Sequence, residues 1–340
     1  MALTATGPSG RATRRWLLLP SPGLLIGLAL FAALLVHHGI GRLIDELAVV
    51  GWGIIGLTIY HVTSIVSDAI AWRDLLGREE RPPFRSLLWA RWIGEAVNTL
   101  LPVMQIGGNI VRARLVARRG MSSSVAGASV VVDLTLEALT QFAFALIGVG
   151  LLVLGSHGEG LLIPSLIGSA TVGLLVGAFA LAQRLGLFGA AVRALRKMGG
   201  PERWLPAAEG ADELDAQIVR LYGDRRGVWR GSAWHLAGWA FGAGEVWLAL
   251  LFLGHPVDLA SAFVLESLGV AVRAAAFAVP GALGVQEGGF VVLGGVFGIP
   301  PDVCLALSLT KRAREILIGV PGLIAWQIGA ARERERGDAA

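Results

Sequence analysis

Charged side chains stand inside segments that are otherwise apolar enough to cross a bilayer. Asp133, Glu137 and Gln141 recur every four residues along one such segment, and Lys311, Arg312, Arg314 and Glu315 lie within another. Arg91 and Glu95, four apart, share one face of a shorter helix. Glu266, Arg273, Gln286 and Glu287 form a further polar set. An ionisable group in hydrocarbon costs a few kcal/mol, so each must face protein or water and have a partner. Such groups can hold a polar head group, gate a path by exchanging ion-pair partners, or carry a proton. Glu137, Glu315 and Glu287 are the candidates for the proton. The pattern expects Asp133 and Glu137 to pair with Lys311 and Arg314 as a brace or gate, with Glu315 beside them. His61 and His235 read as packed, hydrogen-bonded histidines. There is no phosphate-binding loop, no Ser/His/Asp set and no metal-ligand cluster, and Cys304 is the single cysteine. The expectation is therefore a protein that is not an enzyme and has neither cofactor nor metal.

The chain that must position these groups is 54% hydrophobic and 16% charged, with a mean hydropathy of +0.66. That composition belongs to an all-α polytopic membrane protein. A span needs about 20 apolar residues, and six segments qualify: 17–37, 49–72, 122–155, 161–183, 231–253 and 301–328. Two further stretches, 86–108 and 259–297, are apolar but broken. The first carries Pro102, Gly107 and Gly108, and the second Pro280, Gly281 and Gly284. Non-helical backbone at membrane depth survives only where protein buries it or where it lines a wet cavity. Paired breaks in two halves mark a transporter's binding site. Each stretch is therefore expected to be a re-entrant hairpin.

Basic residues orient the chain. Of its 29 Lys and Arg, 23 fall in the N-tail, the loops flanking the first hairpin, the central loop and the C-tail. This places both termini in the cytoplasm and opens the two hairpins to opposite faces. The halves, 17–155 and 161–330, become an inverted repeat with a cytoplasmic linker over 184–230. Charged tails occupy 1–16 and 331–340. A gapless overlay aligns Pro102 with Pro280, Gly120 with Gly298 and Glu137 with Glu315. The arginine-rich linker satisfies the charge rule, and nucleic acid is not expected as a partner.

The run Leu101-Pro102…Gly107-Gly108…Arg112…Gly120, followed by Asp133…Glu137, resembles the flippase-like transmembrane domain of the lysylphosphatidylglycerol synthase superfamily. So does Pro280-Gly281…Gly284-Val-Gln286-Glu287-Gly288, followed by Arg312…Glu315 and Pro321-Gly322. Pro102-Val-Met-Gln-Ile-Gly107-Gly108 and Ala278-Val-Pro-Gly-Ala-Leu-Gly-Val-Gln286-Glu287 are similar to its hopanoid-associated branch. The resemblance implies a multi-pass protein of the bacterial inner membrane whose partners are a membrane lipid and enzymes of hopanoid biosynthesis. Val103 and Asn109 stand where many relatives have a glycine and an acid, so the first hairpin carries one charge fewer. The superfamily's synthases join this domain to a soluble catalytic domain, so aminoacyl transfer does not carry over.

The function expected is translocation of an amphipathic lipid, a hopanoid or its derivative, without ATP hydrolysis. Asn109, Gln286, Glu287, Arg112 and Glu95 would hold the head group. Two alternatives are a non-transporting scaffold for lipid-modifying enzymes and an intramembrane head-group transferase.

Overall fold

The computed structural model describes residues 49–78, 80–101, 106–155, 205–276 and 279–338, with positions 177–178, 181 and 185. The expected spans 17–37 and 161–183, the N-terminal tail and Pro102 lie outside these residues, apart from the isolated positions 177–178 and 181 in the second span. Every regular element described is helical: α1 Gly53–Leu75, α2 Phe84–Leu100, α3 Gly107–Ala117, α4 Ser123–Leu154, α5 Leu205–Gly223, α6 Arg225–Phe252, α7 Leu259–Ala275, α8 Val285–Val296 and α9 Pro301–Asp338. Three of them, α1, α4 and α6, are long and apolar enough to cross a membrane. Helix starts follow local chemistry. Ser122, Asp224 and Asp258 accept backbone N–H groups at the starts of α4, α6 and α7, which satisfies donors that lack a helical partner. Pro301 opens α9, where a missing N–H costs nothing.

Both broken stretches fold back on themselves. In the first, α2 and α3 lie so close that the N–H of Gly108 donates to Asn98 Oδ1 at 2.8 Å. A methyl group added at Gly108 would collide with the carbonyl oxygen of Gly94 and stand 2.7 Å from Asn98 Oδ1. Gly108→Ala is thus expected to cost about 1–3 kcal/mol by overpacking. Gly150→Ala, inside α4 with open space around it, should be neutral or stabilising by up to about 1 kcal/mol. Unfolding of both variants in mixed micelles decides the matter. In the second hairpin, a 3-10 turn at Pro280–Ala282 lies between α7 and α8, and Gly281 and Gly284 have φ of +64° and +75°. Side-chain-bearing residues rarely adopt that conformation.

The element order repeats. Gly107 opens α3 as Val285 opens α8, and Ser123 opens α4 as Pro301 opens α9, the same register that aligns Glu137 with Glu315. Neighbour relations repeat as well: α2 packs on α9 and α7 on α4, while α1 and α6 pack against each other.

The described part of the 184–230 linker is more ordered than its composition suggests. Helix α5 and the first turns of α6 occupy it, and Ile218 and Leu221 are buried against Leu136 and Ala128 of α4. Ser124 donates to Glu213 at 2.7 Å, and Arg220 pairs with Glu80 at 2.6 Å.

The distribution of polarity is that of a molecule in lipid. Asp133, Glu287, Arg112 and His235 are no more than 1% exposed, whereas Ile59, Val292 and Leu154 are 67%, 61% and 83% exposed. Hydrocarbon outside and ion pairs inside is the arrangement a bilayer permits.

Candidate functional site: an ion-paired cavity between the helices

The stripe on α4 meets the first hairpin and the α1–α6 pair. Arg91 of α2 grips Glu137 with both ends of its guanidinium, at 2.8 and 3.0 Å, and also bonds Asp68 of α1 at 2.8 Å. Such two-pronged contacts fix geometry as well as charge. Asp133 receives Arg112 of α3 at 2.6 Å and His235 of α6 at 3.1 Å. The other nitrogen of His235 meets Asp68 at 2.9 Å. Arg112 leaves Nε and Nη2 without hydrogen-bond partners. Its charge lies 5.1 Å from the centre of the Trp72 ring, and that cation–π contact offsets part of the loss.

A second network joins α1, α2, α6, α7 and α9. Glu245 of α6 accepts from Arg314 at 3.0 Å and meets His61 Nδ1 at 2.7 Å. Glu95 of α2 meets His61 Nε2 at 3.0 Å. Lys311 pairs with Glu266 of α7 at 2.5 Å, and Glu315 with Arg273 of α7 at 2.6 Å. Arg312 pairs with Glu287 at 2.6 Å.

Between the networks lies a cavity of about 470 Å³, the size of a small-molecule pocket. Its wall includes the carboxylates of Asp68, Glu95, Glu137, Glu245, Glu266 and Glu315 and the cations Arg91, Arg112, Arg273, Lys311 and Arg314, with Asn98, Asn109 and Gln286 between them. Adding Asp133, Glu287 and Arg312 behind the wall, the two networks hold eight carboxylates against six Arg and Lys. Among the described residues, the charges of the two networks balance when His61 and His235 are both protonated. Burying net charge is expensive, so this equality constrains the protonation of the site.

A family model described as the lysylphosphatidylglycerol synthase TM region matches residues 23–322. The chain belongs to this family. No curated protein and no solved structure matches it. Membership, together with the apolar helices, makes this a membrane protein linked to lipid metabolism or translocation.

Within this member of the synthase TM-region family, the structure brings most of the singled-out residues to one place. Glu95, Asn109, Arg112, Glu137, Gln286, Lys311, Arg314 and Glu315 line the cavity, and Asp133 stands directly behind it. The expected pairing across the halves is corrected. Asp133 and Glu137 bond Arg112, His235 and Arg91 rather than Lys311 and Arg314. The last two are taken by Glu266 and Glu245. The reason is which elements touch: the first hairpin packs on α4 through α3, whereas α9 packs on α2 and α8, so Arg91 and Arg112 lie nearer to the α4 acids. Glu287 is not in the cavity wall. It is fully buried, accepts the Gly284 N–H at 2.7 Å and the Ser308 hydroxyl at 3.1 Å, and holds Arg312. Its role is to cap α8 and close the hairpin break. Gln286 does face the cavity. Its amide donates to Ser308 at 3.0 Å, and its Oε1 has no hydrogen-bond partner. Pro280, Gly281 and Gly284 form the break itself, and Gly107 and Gly108 begin α3.

Sequence reasoning passed over Asp68, Glu245 and the two histidines as site groups. For His235 a signal existed. Gly227, Gly231 and His235 follow one another at four-residue spacing, so they share one helix face. The two glycines of that face meet Asp74, Ala71 and Leu75 of α1, so His235 had to point at α1 too. Among the described residues no group of His, Cys, Asp and Glu is arranged to hold a metal ion.

Proposed function

We propose that this protein moves an amphipathic lipid between the leaflets of the bacterial inner membrane without ATP hydrolysis, with hopanoids or their polyol-headed derivatives as the favoured cargo. One observation carries the proposal: an ion-paired cavity of about 470 Å³ inside a helical scaffold with an apolar exterior. A polar head group is stabilised in such a furrow while its tails stay in hydrocarbon. Membership of a lipid-linked membrane family is in keeping with this. The hopanoid preference rests on the resemblance of the two hairpin motifs.

The repeated neighbour relations are read as an inverted repeat, with both termini cytoplasmic and the hairpins opening to opposite faces. Alternating exposure of the hairpins would then carry the head group past Glu95, Asn109, Arg112 and Gln286. Glu137, Lys311, Arg314 and Glu315 are the groups whose pairings would change on the way.

The test is a gene deletion in a hopanoid-producing host, with total hopanoids and their division between inner and outer membranes measured by mass spectrometry. The expected result is a normal total with a reduced outer-membrane share, restored by the wild-type gene. A normal total with unchanged distribution would remove hopanoids as cargo. A missing product would point to an enzyme instead.

A further inference from the structure

Buried His235 and partly buried His61 each bridge two carboxylates, but they do so in different company. His235 meets Asp68 through Nδ1 at 2.9 Å and Asp133 through Nε2 at 3.1 Å. Its side chain is wholly buried. Carboxylates only accept, so both ring nitrogens must carry hydrogen for these contacts to hold. A neutral His235 would leave one carboxylate facing a lone pair. His61 also has Glu245 at Nδ1, 2.7 Å away, and Glu95 at Nε2, 3.0 Å away. Yet a donor stands at the same nitrogen: Arg314 Nη1 lies 3.1 Å from His61 Nε2. One nitrogen cannot serve an acceptor and a donor together. His61 therefore has two satisfied states. Charged, it donates to Glu245 and Glu95. Neutral, it still donates to Glu245 while Nε2 accepts from Arg314.

We propose that His61 and Glu95 form the proton-exchange site of the cavity, while His235 is a fixed cation. Glu95 is the more exposed partner, at 27%, and it lines the cavity, as His61 does. In the exchange step the Nε2–H bond of His61 breaks and an O–H bond forms on Glu95. Arg314 then donates to the vacated Nε2 lone pair, and the Glu95 proton passes to water in the cavity. The charged groups that line the cavity together with His61 are Asp68 on its own helix, Arg91 and Glu95 on α2, Arg112 on α3, Glu137 on α4, Glu245 on α6, Glu266 and Arg273 on α7, and Lys311, Arg314 and Glu315 on α9. Among these, Arg314 provides the alternative donor.

Losing the proton leaves Glu95 as an uncompensated carboxylate on the wall. A head group that brings a hydrogen-bond donor can take the vacant place, so cargo and proton compete for one oxygen. This use of the site rests on the translocator reading; the exchange itself does not.

The test is nitrogen-15 NMR of the imidazoles in the full chain, with His37, His38, His157 and His255 replaced by asparagine so that only two of the six histidines remain. Either His61→Gln or His235→Gln assigns the signals, so one misfolded variant does not stop the experiment. Across the pH range in which the protein stays folded, His235 should keep two protonated nitrogens. His61 should pass from that state to a neutral form with the hydrogen on Nδ1. In Glu95→Gln, exchange between the two states should slow until an averaged signal splits into two. A His61 that stays charged throughout, a neutral form with its hydrogen on Nε2, or unchanged exchange in Glu95→Gln would each overturn the proposal. A titrating His61 together with an undisturbed lipid distribution in the deletion strain would count against the lipid path alone.

Discussion

Replacing Arg91 with leucine is expected to cost about 3–5 kcal/mol of stability, the usual penalty for leaving partners of a buried ion pair behind. Arg91 is 11% exposed and bonds Asp68 and Glu137, with Asp133 at 3.5 Å. Without it, three carboxylates share Arg112 and His235. Arg91→Lys should lose less, since it keeps the charge but not the two-pronged grip on Glu137. The double substitution Arg91→Leu/Glu137→Leu should lose less than the two single ones added together, because each removes the other's stranded partner. Equilibrium unfolding in mixed micelles compares Arg91→Leu, Arg91→Lys, Glu137→Leu and the double variant with wild type. Equal stability of Arg91→Leu and wild type would mean that water or lipid head groups already screen this network.

On the translocator reading proposed above, a disulfide across the α2–α9 seam should stop lipid movement nearly completely and reversibly. Where these helices cross, a methyl group on Gly322 would stand 2.9 Å from Cβ of Ala96, so a small separation brings two cysteines to the roughly 3.5–4.5 Å that a disulfide spans between Cβ atoms. Helix α2 belongs to the first hairpin and α9 to the other half of the chain, so the bond ties together parts that alternating exposure must move apart. Ala96→Cys/Gly322→Cys is best made with Cys304→Ala, which removes the buried native thiol. Hopanoid movement between leaflets of reconstituted vesicles should vanish on oxidation and return on reduction. Oxidised protein that moves lipid as fast as reduced protein would show that this seam stays closed during transport.

Much of the scaffold was legible from local chemistry. The apolar runs, the Pro/Gly breaks and the start of α4 at Ser122 all depend on neighbours within one turn, and α1, α4 and α9 begin within a few residues of where hydropathy places them. Helix α5 was hidden because a membrane criterion rejects a charged segment. Its clue was the spacing of Leu214, Ile218 and Leu221 on one face.

For the site, the sequence by itself determined that charges lie at membrane depth and must be paired, because hydrocarbon tolerates no isolated ion. It could not say with whom. Pairing depends on which helices touch, and a guanidinium reaches only a few ångströms beyond its own helix. The tertiary structure alone placed Arg91 and Arg112 nearer to the α4 acids than Lys311 and Arg314. It also turned Glu287 into a cap and set Glu245 and Asp68 beside two histidines that looked like ordinary packing. His61 gained its second partner at Nε2 only because α9 crosses α1 there, a contact between residues 253 positions apart that no local pattern encodes.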